Sequence, residues 1–107
     1  MEEKLKWQEV VLKVTSLIAE KVAENAMLAF KMPDDISAWT EADMISRSIR
    51  NYILLYLPVI LNRYEKKEGV VVNKKFLFKY FGEIGKYFPE KKEVKIKSQS
   101  DGYTIEM

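Results

Sequence analysis

Chemistry in this chain is left to carboxylates, lysines and tyrosines, because neither Cys nor His occurs in it. That absence removes thiol nucleophiles, disulfides, iron–sulfur ligation and tetrahedral zinc sites. It also removes the side chain most often used for general acid–base catalysis. The only carboxylate clusters are Asp34-Asp35 and Glu41/Asp43, and both fit the acids of a loop and of a helix start. With four Asp in all and no EF-hand-like cluster, no all-oxygen metal site is expected. A non-catalytic protein, without cofactor or metal, is the expectation.

The second candidate chemistry is anion binding. Residues 1–61 carry seven Lys/Arg against nine Asp/Glu, whereas residues 62–107 carry eleven against seven. The basic part holds six aromatic residues between Phe76 and Phe88. Basic charge interleaved with aromatics suits phosphate neutralisation and base stacking. On a helical wheel, however, Phe76, Leu77, Tyr80, Phe81, Ile84, Tyr87 and Phe88 share one broad face, so most belong to a core. Lys75, Lys79 and Lys86 share the opposite face. Lys74 and Lys75 occupy a first helical turn, where cations oppose the macrodipole. Beside free amides and the cap Asn73, they would make an anion site for a phosphate. Asn73, Lys74, Lys75, Lys79 and Lys86 are therefore the candidate nucleic-acid contacts. The alternative is a solvated lysine face, screened by a carboxylate such as Glu65, Glu68 or Glu93.

Gly82-Glu83-Ile84-Gly85 has the G-x-x-G form with which a KH module clamps a nucleic-acid backbone. Glu83 would face phosphates there, and only Lys86–Phe88 remain for the next helix before Pro89. A glycine pair permitting close packing is the simpler reading. Arg50-Asn51 is similar to part of the motif of helical HEPN ribonucleases, but the histidine that motif requires is missing, which excludes its catalysis.

The elements that must hold these residues follow from periodicity. Apolar residues at 3.6 spacing, from Trp7, Val10 and Val11 through Val14, Leu17, Ile18 and Val22 to Leu28, predict a helix from Glu2 to about Lys31. Ala19, Ala23, Ala26 and Phe30 add a second face for close approach of another helix. Pro33, Asp34 and Asp35 should stop it. Thr40 with Asp43 reads as an N-cap motif, and Trp39 with Met44 as its hydrophobic staple. A second helix should then run from Glu41 to about Lys67, ended by Gly69 after a basic turn of Arg63, Lys66 and Lys67. Tyr52, Ile53, Tyr56, Leu57 and Ile60 should pack on the first helix. Leu54, Pro58 and Leu61 point the other way, below Arg47 and Arg50, and are the candidate oligomer interface. Pro58 should kink or split the helix near Leu57.

Val70–Val72 reads as a short strand. A third helix is expected from Asn73 to Phe88, stopped by Pro89. Alternation at Val94 and Ile96, then at Tyr103, Ile105 and Met107, around Asp101-Gly102, predicts a hairpin that pairs Ile96 with Ile105 and Val94 with Met107. The order strand, helix, hairpin resembles a winged helix over about a third of the chain. A winged helix has a helix-turn-helix at this place, where one helix is expected here unless it breaks at Gly82 or Gly85, and no family follows from the likeness.

The fold class expected is mainly α: two long antiparallel helices, a third shorter helix and a small C-terminal β-hairpin. All 107 residues should form one domain, with a helical hairpin over 1–67 and a strand, helix and hairpin over 68–107. The longest strongly apolar run, Tyr52–Leu61, is too short for a bilayer, which needs about 20 apolar residues. The charged N-terminus shows no apolar signal segment, so a cytoplasmic protein is the default. Many Lys and Glu with few Asn and Gln resemble a thermophile composition. Two helices of about 40 Å each suggest an elongated hairpin whose excess apolar surface is covered by a homodimer. Self-association is thus the leading expectation, and nucleic-acid binding by the third helix and hairpin is the alternative.

Overall fold

Residues 4–30, 36–65 and 69–107 are described by the computed structural model; the side chains of 36–38 are outside this description. The elements are α1 (Trp7–Phe30), α2 (Ile36–Asn62), β1 (Gly69–Asn73), α3 (Lys74–Phe81), a 3-10 helix (Gly82–Tyr87), β2 (Glu93–Gln99) and β3 (Gly102–Glu106). Two long helices, a shorter third and a C-terminal hairpin are all present, as the periodicity predicts.

The first helix starts later than expected because its first residues are used elsewhere. Leu5 pairs with Tyr103 at the edge of β3, donating to its carbonyl at 2.8 Å and accepting from its amide at 2.9 Å. One residue on, the Glu9 carboxylate accepts from the Lys6 amide at 3.1 Å. That is the reach of an N3 acid back to the N-cap, and it sets the helix start at Trp7. The predicted contributions of Glu2, Glu3 and Lys31 lie outside the described residues.

Both ends of α2 differ from expectation. Thr40 does not cap it: the helix already begins at Ile36, so Trp39 and Thr40 are inside it and Met44 is exposed rather than stapled. The stop at Pro33, Asp34 and Asp35 lies outside the described residues. At the far end α2 closes at Asn62, in a turn where the Arg63 and Tyr64 amides donate to the Ile60 and Leu61 carbonyls. Gly69 therefore opens β1 instead of capping α2, and Lys66 and Lys67 are outside the described residues. Pro58 does not split the helix, which is continuous across it.

Two polar pairs show that α1 and α2 run antiparallel. The Trp7 indole donates to Asn62 Oδ1 at 2.9 Å, and Arg50 lies 3.4 Å from Glu20. Ala19, Ala26 and Ala42 are fully buried, so small side chains permit close approach at this seam. Nearer the Trp7 end the core is built from Val10, Val14 and Ile18 against Ile53, Leu57 and Leu61. Each such side chain contributes about 1.5–3 kcal/mol on burial.

The sheet has order β1-β2-β3, antiparallel throughout. Ile96 pairs with Ile105 as predicted, and the ladder closes at Gln99–Gly102 around Ser100 and Asp101. The pairing of Val70 with Ile96 and of Val72 with Val94 adds β1 as a third strand and brings four buried apolar residues together. Asn73 ends β1 and caps α3, its Oδ1 accepting from the Phe76 amide at 2.9 Å. The predicted third helix breaks at Gly82, whose φ of 63° favours glycine, and continues as the 3-10 helix. No second α-helix stands there, so the helix-turn-helix of a winged helix is missing. The 3-10 helix packs on α1, where the Asn25 amide donates to the Tyr87 carbonyl at 2.7 Å.

Candidate functional site

The anion site predicted at the start of α3 assembles only in part. Asn73, Lys74 and Lys75 line one open depression of about 410 Å³ with Phe78. Glu90 and Glu93 line it too, carried there by the turn before β2 and by the pairing of Asn73 with Glu93. Glu93 lies 3.5 Å from Lys95, and among the described residues neither carboxylate forms an ion pair with Lys74 or Lys75. The Asn73 side-chain oxygen is occupied by its cap bond. Lys79 and Lys86 lie apart from this depression. The Lys79 ammonium sits 5.2 Å from the Tyr80 ring centre. That of Lys86 is 3.7 Å from Glu83 and 5.3 Å from the Tyr87 ring centre.

A tyrosine pair closes the other side of α3. The Tyr64 and Tyr80 hydroxyls are hydrogen-bonded, with Phe76 stacked against both rings. Either hydroxyl can donate in this bond, so the two phenols titrate as a pair: the shared hydrogen bond, with Lys79 and Arg63 nearby, eases loss of the first proton and holds back the second. Among the described residues no carboxylate joins this pair, and it ties α3 to the end of α2.

The predicted oligomer interface requires correction. Leu61 is fully buried in the core, facing α1. Leu54 is 40% exposed and Pro58 is half-buried, so these three residues do not form one open patch. The partly exposed Arg50 side chain reaches Glu20 at 3.4 Å, with its Nε buried. The buried sector of α2 is centred on Ile53 and Leu57. Tyr52 and Tyr56, expected to pack on α1, lie outside it, each exposed by more than 40%. The open apolar face of α2 consists of Tyr52, Leu55, Tyr56 and Val59, with Leu55 64% and Val59 55% exposed. Ile45 and Met44, also exposed, lie about two turns back on the same side. Leu55 and Val59 escape a reading that follows the Tyr52/Tyr56 stripe. Their sequence signal is the i, i+4 spacing on the side of the wheel opposite Leu57.

A second surface lies between α1 and the hairpin. An open trough of about 650 Å³ is floored by Leu5, Leu12, Leu17, Val94, Ile105 and Met107, with Lys13 and Ser16 beside them. It adjoins one of about 470 Å³ that shares Leu17, Val94 and Met107 and ends at Phe88, Lys91 and Lys92. Leu12 is 71% exposed. It stands off the main apolar stripe of α1, which is its sequence signal. Among the described residues, no group of acidic side chains is placed to hold a metal ion, and no helix is long and apolar enough to cross a membrane.

Comparison with known proteins finds no matching family model, curated protein or solved structure.

Proposed function

We propose that this protein is a non-catalytic interaction module that self-associates through the outer face of α2. The observation that supports this is the exposure of Leu55 and Val59 beside Tyr52 and Tyr56. Contiguous apolar surface of several hundred square ångströms is uncommon on a monomer and marks contact sites. No charged residue occurs in Tyr52–Leu61, so two copies can meet here without opposing like charges. An antiparallel helix pair with a bare flank is half of a four-helix bundle, and a two-fold contact needs only that one patch match itself.

Sedimentation equilibrium at about 10 µM, where interfaces of ordinary affinity are populated, is expected to give a dimer. Leu55→Lys with Val59→Lys should give a monomer of unchanged helical content, because neither side chain belongs to the core. A wild-type chain that remains strictly monomeric overturns the proposal.

Nucleic-acid binding by α3 and the hairpin is a second reading, favoured by one observation: Phe78 is 40% exposed beside Lys74 and Lys75. Glu90 and Glu93 weigh against it. A salt-sensitive gel shift lost in Lys75→Glu/Lys79→Glu would establish this reading, and no shift at low salt would end it.

A further inference from the structure

We propose that the open face of α2 pairs with the same face of a second copy turned end for end, and that Glu41 and Arg63 select this orientation. The inference rests on the self-association argued above and adds its direction and the residues that set it. Glu41, Ile45, Ser48, Tyr52, Leu55 and Val59 follow one another along α2 at spacings of four, three, four, three and four. That is the heptad spacing with which two helices form a shared seam. All six residues are exposed, from Ile45 at 36% to Leu55 at 64%. Ile53 and Leu57 occupy another side of the helix, in the core with α1, so the seam is open while the helical hairpin stays intact. Tyr52, at its middle, is flanked by Tyr56 and Phe81, with ring centres 4.8 Å and 5.6 Å away.

Charge selects the occupant and its direction. The seam opens on the carboxylate of Glu41, and Arg63 lies four residues beyond Val59 in the turn that closes α2. Both are exposed, and neither has an ion-pair partner among the described residues. Nearby, Asp43 and Arg47 neutralise each other at 3.1 Å. Glu41 and Arg63 are each 11 residues from Tyr52, and Ile45 and Val59 are each seven. Two copies laid parallel would set Glu41 against Glu41 and Arg63 against Arg63. Laid antiparallel about Tyr52, they bring each Glu41 to the partner's Arg63 and each Ile45 to the partner's Val59. Opposite charges at equal distances from the middle are what a two-fold contact requires. A different partner places no such condition on this face. Rim charges of this kind contribute little affinity, but like charges oppose docking and so fix orientation.

The test uses the full chain, which has no cysteine of its own. Met44→Cys therefore carries one nitroxide per copy at an exposed rim position eight residues from Tyr52. Dipolar spectroscopy should place the two labels about 24 Å apart along an antiparallel seam, against about 10 Å for parallel helices side by side. Separately, Glu41→Arg should raise the dimer dissociation constant about tenfold in sedimentation, because two matched contacts become two opposed ones. Arg63→Glu should do the same, and the chain with both changes should return close to the wild-type value. In a parallel pair neither single change would alter the repulsion already present.

A label separation other than about 24 Å overturns the antiparallel pairing and leaves self-association standing. So do single changes without effect, or a double change no better than either single one. Unchanged helical circular dichroism checks each variant. A wild-type chain that remains strictly monomeric removes self-association itself, and this proposal with it.

Discussion

Thr15 is almost completely buried on α1, and its hydroxyl has no hydrogen-bond partner among the described residues. Valine has the same shape and no polar atom to desolvate. Thr15→Val should therefore raise stability by about 1 kcal/mol, measured as a higher urea midpoint with an unchanged slope. Two glycines provide a contrast at the same scale. A Cβ at Gly85 would sit 2.6 Å from the Phe78 amide nitrogen and 2.8 Å from the Leu77 carbonyl carbon, and neither atom can rotate away. Gly85→Ala should cost about 2 kcal/mol or more, as overpacking against backbone does. Gly82 has open space, but its φ of 63° with ψ of −133° is a conformation almost confined to glycine, so Gly82→Ala should cost about 1–3 kcal/mol through backbone strain rather than overpacking. An unchanged thermal midpoint in either variant would contradict these expectations. The pair explains the G-x-x-G sequence physically: one glycine turns the chain, and the other lets the turn lie against α3.

At the scale of elements, the junction between β1 and α3 rests on Asn73. Asn73→Ala removes the cap bond to Phe76 and should cost about 1 kcal/mol, with the amide of Phe76 exchanging faster with solvent. In the hairpin, Lys97 lies 2.8 Å from Glu106 and holds its carboxyl below the usual carboxylate range, helped by the charge of Lys95. A depressed native pKa means that the stabilisation is present when Glu106 is ionised and is lost as pH falls through its folded value. An NMR titration should place the Glu106 midpoint below that of an unstructured glutamate, and Lys97→Ala should move it up. A midpoint unmoved by that substitution would show that another group depresses it. The exposed pair adds little to overall stability.

The hairpin was the most legible element because a short turn fixes register locally. Asp101-Gly102 and the alternation around it predict the pairing of Ile96 with Ile105, which is observed. Helix ends were less legible. Thr40 has the residues of an N-cap, but Asp35, immediately before Ile36, is an equally suitable residue type, and local sequence does not rank the two starts. Leu5 fits the apolar spacing of α1 well, but Tyr103, nearly the whole chain away, pulls it into a strand contact.

For the whole molecule, the long helices give a radius of gyration of 15.3 Å and extents of 53 × 27 × 22 Å. A compact chain of this length would have a radius near 13 Å. An elongated shape has more surface to cover for each residue, and the open faces of α2 and the trough are where apolar residues remain uncovered. If α2 is the contact between copies, the thermal midpoint should rise with protein concentration, because dissociation accompanies unfolding. Leu55→Lys/Val59→Lys should remove that dependence. A midpoint independent of concentration in the wild-type chain would count against self-association.

By itself, the sequence determined the mainly helical class, the two long helices, the Asn73 cap and the hairpin register. These depend on periodicity, capping and turn chemistry acting within a few residues of one another. It also restricted chemistry at the outset, since residues absent from the chain cannot be supplied by folding. Only the tertiary structure decided which face of α2 is buried. Leu61 and Tyr56 are both apolar enough for a core, and the wheel permits either in the interior. The packing of α1 over Ile53 and Leu57 places Leu61 inside and leaves Tyr56 half-exposed. The pairing of β1 with β2 likewise depended on contacts between distant segments. It brought Glu93 into the depression lined by Lys74 and Lys75, a neighbour that the local sequence around the lysines does not show.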